Sequence, residues 1–252
     1  MRFDYLYDSS ERSLAPFFSQ RMLSITFNCV WIIGVVLMVF WPKKGLSNFI
    51  GENEIPLVFL PTFVATLLIS SYVNLRCGRG EMYPEDILYK LKSKEITTFE
   101  EENDFFSYAL VASLLHTMLL LLLLLPMLVV SASLSGISLQ VFAKAISIVF
   151  TSSLLCRLFG FLMYACCGKW SWVGYLSIRL FFIFFMFVTV VFAPFVNPIV
   201  LINAFYTGEE ILARSPMSTY AIYMMVVTAA ILFLTLVNQA MARRNMHREK
   251  TT

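Results

Sequence analysis

Residues 105–130 read FFSYALVASLLHTMLLLLLLLPMLVV and contain no charged side chain. An α-helix needs about 20 apolar residues to cross the roughly 30 Å of hydrocarbon in a bilayer, and this run exceeds that length. A membrane-spanning β-strand would alternate apolar and polar residues, whereas this run is almost continuously apolar. The stretch therefore predicts a membrane-spanning α-helix.

Five more apolar runs of this kind lie at residues 22–41, 56–75, 137–167, 173–196 and 217–241. The composition of the whole chain agrees, because 59% of its residues are hydrophobic and 14% are charged. Soluble domains contain about 45–50% apolar and about 25% charged residues. We therefore predict an all-α polytopic membrane protein with six transmembrane helices, formed by residues 1–252 as a single domain.

Lysine and arginine are distributed unequally among the segments that join the six runs. Cytoplasmic segments of membrane proteins carry the excess of these residues. If both termini are cytoplasmic, the inner side holds both basic tails and the segment 76–104, and the outer side holds only Lys43, Lys44 and Arg214. The sequence therefore predicts cytoplasmic termini. The net charge of +3 comes from these tails and loops, and it forms no patch of the kind that binds nucleic acid.

The residues before the first run have an amphipathic pattern. Residues 9–22 read SSERSLAPFFSQRM and place Leu14, Phe17, Phe18 and Met22 on one side of a helix. This spacing predicts a short helix that lies in the membrane interface. An ordinary cytoplasmic lead-in is the alternative.

The segment at residues 76–104 is the longest predicted cytoplasmic loop. Pro84 favours a helix start, acidic residues follow it, and lysines come at the end, which complements the helix dipole. We predict a helix over residues 84–94 with an apolar stripe formed by Ile87, Leu88 and Leu91. Residues 98–101 then read TFEE, which predicts a capped start for the helix that leads into the third span.

Two interpretations of this loop follow from its pattern. A charged helix with an exposed apolar stripe suits docking into a groove of a partner protein. The same loop would also suit packing against its own bundle. In the docking interpretation the contact residues are Glu85, Asp86, Ile87, Leu88, Leu91, Thr98 and Glu101.

Three common catalytic and nucleotide-binding motifs are absent from the sequence. It has no GxxxxGK[ST] phosphate-binding loop, no HExxH and no GxSxG, so we predict that the chain is not an enzyme and holds no metal or cofactor. Two histidines occur, His247 in the basic tail and His116 in the third span. His116 is either a proton relay or a packed neutral imidazole.

Arg157 is the most informative polar residue inside an apolar run. It lies ten residues before the end of the run at 137–167, which places it about 15 Å deep along a helix. An arginine at mid-bilayer costs about 2.5–3.5 kcal/mol, so we expect it to face protein, water or an anionic group. The alternative is an arginine that extends to the inner interface.

Small residues at four-residue spacing mark the fourth run as a packing helix. They include Ser147, Thr151 and Gly160, and rows of this kind let helices approach closely. The run itself is too long for one simple crossing, so either it is tilted or one end leaves the membrane. The segment between the fifth and sixth spans, residues 193–216, is too apolar for a free loop and contains three prolines. This predicts short helices that dip back into the outer leaflet.

The layout and two strings resemble the membrane subunits of type-2 ATP-binding-cassette export permeases. LLLLLPMLVVSASLSGISLQVFAKAISIVFTSSLLCRLFG at residues 121–160 is similar to the third-to-fourth hairpin of that family, and FVNPIVLINAF at residues 195–205 is similar to its Asn/Ser-Pro segment. The loop after span two corresponds in position to the family's coupling helix. It has SKEITTFEEE at residues 93–102 in place of the Thr-Pro common there.

The resemblance implies a function for the whole chain. Two copies, or one copy and a paralogue, would pair with two cassette ATPase subunits that bind ATP and Mg²⁺, and substrate would pass between the permease halves in a bacterial inner membrane. Two other classes stay open: a self-sufficient channel or secondary transporter, and a membrane scaffold or enzyme. No Asp or Glu lies well inside the six runs, which argues against coupling to protons or sodium.

Overall fold

The computed structural model describes residues 20–41, 58–79, 99–167, 171–207 and 218–250. All regular secondary structure in these residues is helical. The α-helices are α1 (Gln20–Val39), α2 (Phe59–Gly78), α3 (Phe99–Leu134), α4 (Leu139–Cys167), α5 (Trp172–Ile183), α6 (Thr189–Phe192), α7 (Pro198–Thr207) and α8 (Thr219–Lys250).

Five helical segments within this part of the chain are long and apolar enough to cross a membrane. They are Phe59–Gly78, Thr117–Leu134, Leu139–Cys167, Trp172–Phe192 and Thr219–Met241. The predicted all-helical membrane class is therefore confirmed. The first predicted span corresponds to α1, whose apolar part Ser24–Val39 is shorter. The six-span count and the cytoplasmic termini stay predictions. The interfacial helix predicted at residues 9–22 falls largely outside the described residues, and its last part, residues 20–22, belongs to α1.

The second helix lies further along the chain than the sequence predicted. We predicted a span at residues 56–75, whereas α2 runs from Phe59 to Gly78. Its start is capped from a distance, because the Ser135 hydroxyl accepts the Phe59 backbone N–H at 3.0 Å. At its end the Arg79 N–H donates to the Leu75 carbonyl at 3.2 Å and continues the helical pattern for one residue. The predicted loop therefore begins after Arg79 rather than at Arg76.

The turn between α3 and α4 explains why these two long helices stay separate. Gly136 has a φ of 62°, a conformation that side chains other than glycine rarely adopt. The Ile137 N–H donates to the Ala132 carbonyl at 3.0 Å, and the Gly136 N–H donates to the Ser133 carbonyl at 3.2 Å. This pair of bonds is the Schellman motif, which ends α3 and satisfies its last carbonyls.

The long fourth run forms one uninterrupted helix. α4 contains 29 residues and is about 43 Å long at 1.5 Å per residue. It makes its most extensive contacts with α2 and then with α8. Because α2 and α4 are the most deeply buried of the candidate spans, they form the centre of the bundle.

The fifth predicted span ends four residues earlier than expected. We predicted residues 173–196, but the helix that begins with α5 passes through a π-helical turn at Phe184–Val188 and ends with α6 at Phe192. Asn197, which is fully buried, stabilises this end: its amide N–H groups donate to the Thr189 hydroxyl at 2.7 Å and the Met186 carbonyl at 3.0 Å. Its Oδ1 accepts the Ile199 N–H at 2.9 Å and caps α7.

Large apolar side chains cover the outside of the bundle. One group lies on the segment from α5 to α6 and another on α8, where a soluble protein would expose polar residues. Because α8 carries them on one side and the buried Tyr223, Val227 and Leu234 on the other, this distribution fits a helix between lipid and protein. The most exposed members are Trp172, Val173, Val191, Phe192, Leu232, Phe233 and Leu236.

Candidate functional site

Four polar residues recur at four-residue intervals along α2. Thr62, Thr66, Ser70 and Asn74 are all buried, and residues four apart lie on the same side of a helix. The Thr62 hydroxyl donates to the Val58 carbonyl and the Thr66 hydroxyl donates to the Thr62 carbonyl, each at 2.8 Å. The two threonines are therefore satisfied within α2, and Ser70 and Asn74 are the members of the row that bond to other helices.

Serine hydroxyls connect α2 to α4 near the middle of both helices. The Ser70 and Ser153 hydroxyl oxygens lie 2.8 Å apart, and the Ser71 and Ser153 hydroxyl oxygens lie 3.5 Å apart. All three side chains are fully buried. Away from water a hydroxyl without a partner is costly, so this group fixes the register between α2 and α4.

Asn74 connects three helices through its amide group. Its Oδ1 accepts the Thr117 hydroxyl of α3 at 2.9 Å and an Arg157 Nη1–H of α4 at 3.3 Å. Its Nδ2 donates to the Ser70 carbonyl within α2 at 2.9 Å. This donor–acceptor pattern holds the amide in one orientation, so Asn74 presents its carbonyl oxygen to the guanidinium.

Arg157 points into the protein rather than towards lipid. It is only 2% exposed, although it lies inside a segment apolar enough to cross a membrane. A buried guanidinium is tolerated where polar groups accept its N–H donors, and Asn74 is one such acceptor. The side chain therefore places a positive charge between α2 and α4.

Two glycines bring α2 and α4 into backbone contact beside Arg157. A Cβ added to Gly78 would lie 2.1 Å from the Arg157 carbonyl oxygen, and a Cβ added to Gly160 would lie 2.3 Å from the Leu75 carbonyl oxygen. Neither oxygen belongs to a side chain that could rotate away. The end of α2 is therefore locked against α4 at the point where the chain enters the predicted cytoplasmic loop.

The opposite side of α4 bonds to α8 through longer side chains. The Ser147 and Tyr220 hydroxyl oxygens lie 2.8 Å apart, and those of Ser152 and Tyr223 lie 2.6 Å apart. Asn238 Nδ2 donates to the Leu158 carbonyl at 3.0 Å. These bonds attach α8 to α4 at three levels along the bundle.

Arg79 follows α2 and is buried rather than exposed in a loop. It is 2% exposed, its Nη2 donates to the Ser171 carbonyl at 2.6 Å, and its guanidinium carbon lies 6.0 Å from the centre of the Tyr175 ring. We counted it among the loop cations in the sequence. Its contacts instead tie the end of α2 to the start of α5.

The predicted site residues fall into two groups. Arg157, Ser147, Thr151 and Gly160 are described and lie on α4, where Gly160 contacts α2, Ser147 bonds to α8, and the Thr151 hydroxyl donates to the Ser147 carbonyl at 2.8 Å. The other predicted residues lie outside the described residues, or only their backbone is described, as for Glu101 and His116 in α3. They are Glu85, Asp86, Ile87, Leu88, Leu91, Thr98, Glu101 and His116.

The polar row of α2 was missed in the sequence, although the signal was present. Residues 58–79 contain Thr62, Thr66, Ser70, Asn74 and Gly78 at constant four-residue spacing. The prediction of small-residue rows covered the fourth run and did not include the second. The same test of spacing would have selected α2 as the partner of α4.

Comparisons with known proteins identify no relative of this chain. No protein-family model, curated protein or solved structure matches the chain. In the part of the chain that the structure describes, no group of histidine, cysteine or acidic residues is suited to hold a metal ion. The buried polar groups between α2, α3, α4 and α8 hold these helices in register through hydrogen bonds.

Proposed function

We propose that this chain is the membrane-embedded permease subunit of a transporter of the type-2 ATP-binding-cassette export kind. The observation that carries the proposal is the backbone contact of Gly78 with Gly160, which joins the loop-proximal end of α2 to α4. The segment that follows α2 is the predicted partner-docking loop. A transporter driven from outside the membrane needs a rigid connection of this kind at the point where the driving subunit pushes.

The proposed motion passes through named contacts. Displacement of the loop moves the end of α2, and the Gly78–Gly160 contact passes that displacement to α4. Ser152 and Tyr223 then connect α4 to α8. Because packed interfaces switch between discrete arrangements rather than deforming continuously, a small movement at the loop would shift whole helices.

The proposal assigns the energy source to a separate subunit. The chain has no phosphate-binding loop of the GxxxxGK[ST] type, so ATP and Mg²⁺ would bind to a cassette ATPase. A second copy or a paralogue would complete the substrate pathway. The proposal includes six spans, cytoplasmic termini and a bacterial inner membrane, because the docking loop must face the ATPase on the cytoplasmic side.

The test is co-purification of the chain with a cassette ATPase encoded beside it. Ile87→Asp with Leu91→Asp places two charges on the predicted apolar stripe, and we expect the ATPase to be lost from the complex. Tyr89→Asp with Ser93→Asp is the matched control, because on a helix these two positions lie on the side opposite the stripe. We expect the control variant to retain the ATPase.

Two results would contradict the proposal. One is equal recovery of the ATPase with the stripe variant and with the wild type, which would remove the docking site. The other is transport by the purified chain alone in vesicles without any ATPase, which would favour a self-sufficient channel or secondary transporter. Transport that requires the ATPase and is lost in the stripe variant is the expected outcome.

A further inference from the structure

A lysine near the start of α4 is held between aromatic rings from two other helices. The Lys144 ammonium nitrogen lies 5.5 Å from the centre of the Phe205 ring of α7 and 5.7 Å from the centre of the Tyr220 ring of α8. The two rings also contact each other, with their centres 5.9 Å apart. Rings at these distances attract a cation through their quadrupoles, so they fix the position of the ammonium group.

The rings satisfy the charge of Lys144 but not its hydrogen-bonding capacity. An ammonium group has three N–H donors and no acceptor. Among the described residues the Lys144 ammonium contacts the two rings and makes no hydrogen bond or ion pair. The side chain is only partly buried, so its donors remain accessible to a ligand that carries acceptor oxygens.

Neighbouring hydroxyl groups hold the Tyr220 ring in place beside Lys144. The Ser147 hydroxyl donates to the Lys144 carbonyl at 2.7 Å and lies 2.8 Å from the Tyr220 hydroxyl oxygen. The Tyr220 ring is therefore fixed by α4, the same helix that carries the lysine. Three helices converge on one cation within a bundle of membrane-spanning helices.

The depth of Lys144 in the membrane indicates which kind of ligand the site would bind. It lies five residues after the start of α4 at Leu139, about 7.5 Å along the helix axis, and a lysine side chain extends from such a depth to the level of the headgroups. Met225 and Val226 of α8 are exposed beyond Tyr220, towards the middle of the bilayer. An acyl chain gains contact with these apolar residues, whereas an inorganic anion does not.

We propose that the contact of α4, α7 and α8 around Lys144 binds the phosphate of an anionic phospholipid. Basic residues between transmembrane helices recognise anionic headgroups in this way. The phosphate oxygens accept from the Lys144 ammonium, and the acyl chains lie along the exposed apolar side of α8. The site is separate from the α2–α4 contact and does not depend on the transport proposal.

The test measures lipid preference on the intact chain. The detergent-solubilised protein is mixed with equal amounts of phosphatidylglycerol and phosphatidylcholine of the same acyl chains, and the bound lipids are counted by native mass spectrometry. We expect the wild type to prefer phosphatidylglycerol. One basic residue near a headgroup contributes about a fivefold change in binding, so K144Q should lower the preference by about that factor.

Three further arms make the result specific. K144R keeps the charge and should retain most of the preference. K250Q removes the same charge from the last residue of α8 and should change the preference less than about twofold, because Lys250 belongs to no part of the proposed site. Millimolar inorganic phosphate should not displace the lipid; displacement would mean that the site takes free phosphate, which overturns the lipid proposal.

Two other results overturn the proposal. The first is a wild-type protein with no preference for phosphatidylglycerol, a result that holds whether or not any variant folds. The second is an unchanged preference in K144Q with a wild-type circular dichroism spectrum. Glu209 and Glu210 follow α7 in the sequence, and an internal carboxylate partner for Lys144 would produce that second result.

Discussion

The two sides of α4 are joined to their neighbours by different means. On the side of α2 the contact is made by glycines and short hydroxyl side chains, and the backbones meet directly at Gly78 and Gly160. On the side of α8 the hydrogen bonds are made by the ends of two tyrosine side chains and one asparagine side chain. The sequence of α8 contains no glycine. α2 is fixed to α4 along its length, whereas α8 is attached at separate points.

This difference predicts which pair of helices can move. Separation of α2 from α4 would break backbone packing and expose a buried arginine, so these two helices should move as one unit. A shift of α8 on α4 requires the exchange of a few hydrogen bonds, each of which contributes about 0.6 kcal/mol on average between membrane helices, and the sliding of apolar side chains such as Val227 and Leu234. Substitutions on the two sides of α4 should therefore have unequal effects.

The largest effect is expected from Gly160→Ala on the α2 side. The added Cβ would lie 2.3 Å from the Leu75 carbonyl oxygen and 3.0 Å from the Arg79 backbone nitrogen, so one helix must shift. Overpacking of this kind costs about 1–3 kcal/mol and occasionally more, and we expect the upper end of that range. The measurement is the free energy of unfolding in detergent micelles, followed by circular dichroism.

Gly34→Ala is the matched control for this substitution. Its Cβ would lie 3.4 Å from the Met127 Cε, an ordinary contact with a flexible side chain. Alanine is favoured over glycine in a helix by about 1 kcal/mol, so this variant should be unchanged or slightly more stable. If Gly160→Ala and Gly34→Ala have the same stability, then α2 and α4 do not meet through their backbones.

The next largest effect is expected from Asn74→Leu, which removes an acceptor from Arg157. A hydrogen bond to a charged group contributes about 1.5–3 kcal/mol, and the 3.3 Å separation favours the lower end of that range. The companion Thr117→Val removes the other donor to the same oxygen and leaves Arg157 its acceptor, so it should cost less. The free energy of unfolding of both variants is measured with urea in micelles. An equal decrease in both would show that the hydrogen bond to the arginine does not add to stability.

Much of this fold follows from apolar run length, and the exceptions have local causes. The runs identified α2, α3, α4 and α8 because twenty or more apolar residues leave few alternatives to a membrane helix. The predicted span that ends at residue 196 was too long because residues 193–196 are apolar but do not continue the helix. Pro194 begins a 3₁₀ turn there, and Asn197 caps the next helix. Run length alone cannot report a turn that apolar residues form.

The candidate site was predictable in part. The depth of Arg157 predicted a polar environment, yet the partner Asn74 lies 83 residues earlier in the chain, and no local pattern identifies a partner at that separation. The small-residue spacing in α4 identified Gly160 as a packing residue, but the identity of the packed helix required the matching row in α2. A contact between two helices depends on how each helix is rotated about its own axis. Sequence periodicity indicates which side of a helix is packed, but it does not indicate which other helix packs there.

A smaller effect comes from two neighbouring serines that face opposite helices. Ser153→Ala removes the partner of Ser70 and Ser71 on the α2 side, whereas Ser152→Ala removes the partner of Tyr223 on the α8 side. Each loss should be about 0.5–1 kcal/mol. If α8 is the mobile helix, Ser152→Ala should also increase hydrogen exchange in α8, and Ser153→Ala should not. Equal exchange in both variants would contradict the distinction between the two sides.

The smallest effect is expected from Asn238→Leu. The side chain is 7% exposed and donates to the Leu158 carbonyl at 3.0 Å, but its Oδ1 has no hydrogen-bond partner within the part of the chain that the structure describes. Leucine loses the bond of about 0.6 kcal/mol and removes a buried polar atom whose lack of a partner costs about 1–3 kcal/mol. The free energy of unfolding in micelles should therefore stay unchanged or rise slightly. A fall of about 2 kcal/mol would show that Oδ1 accepts a hydrogen bond in the membrane, and α8 would then be held as firmly as α2.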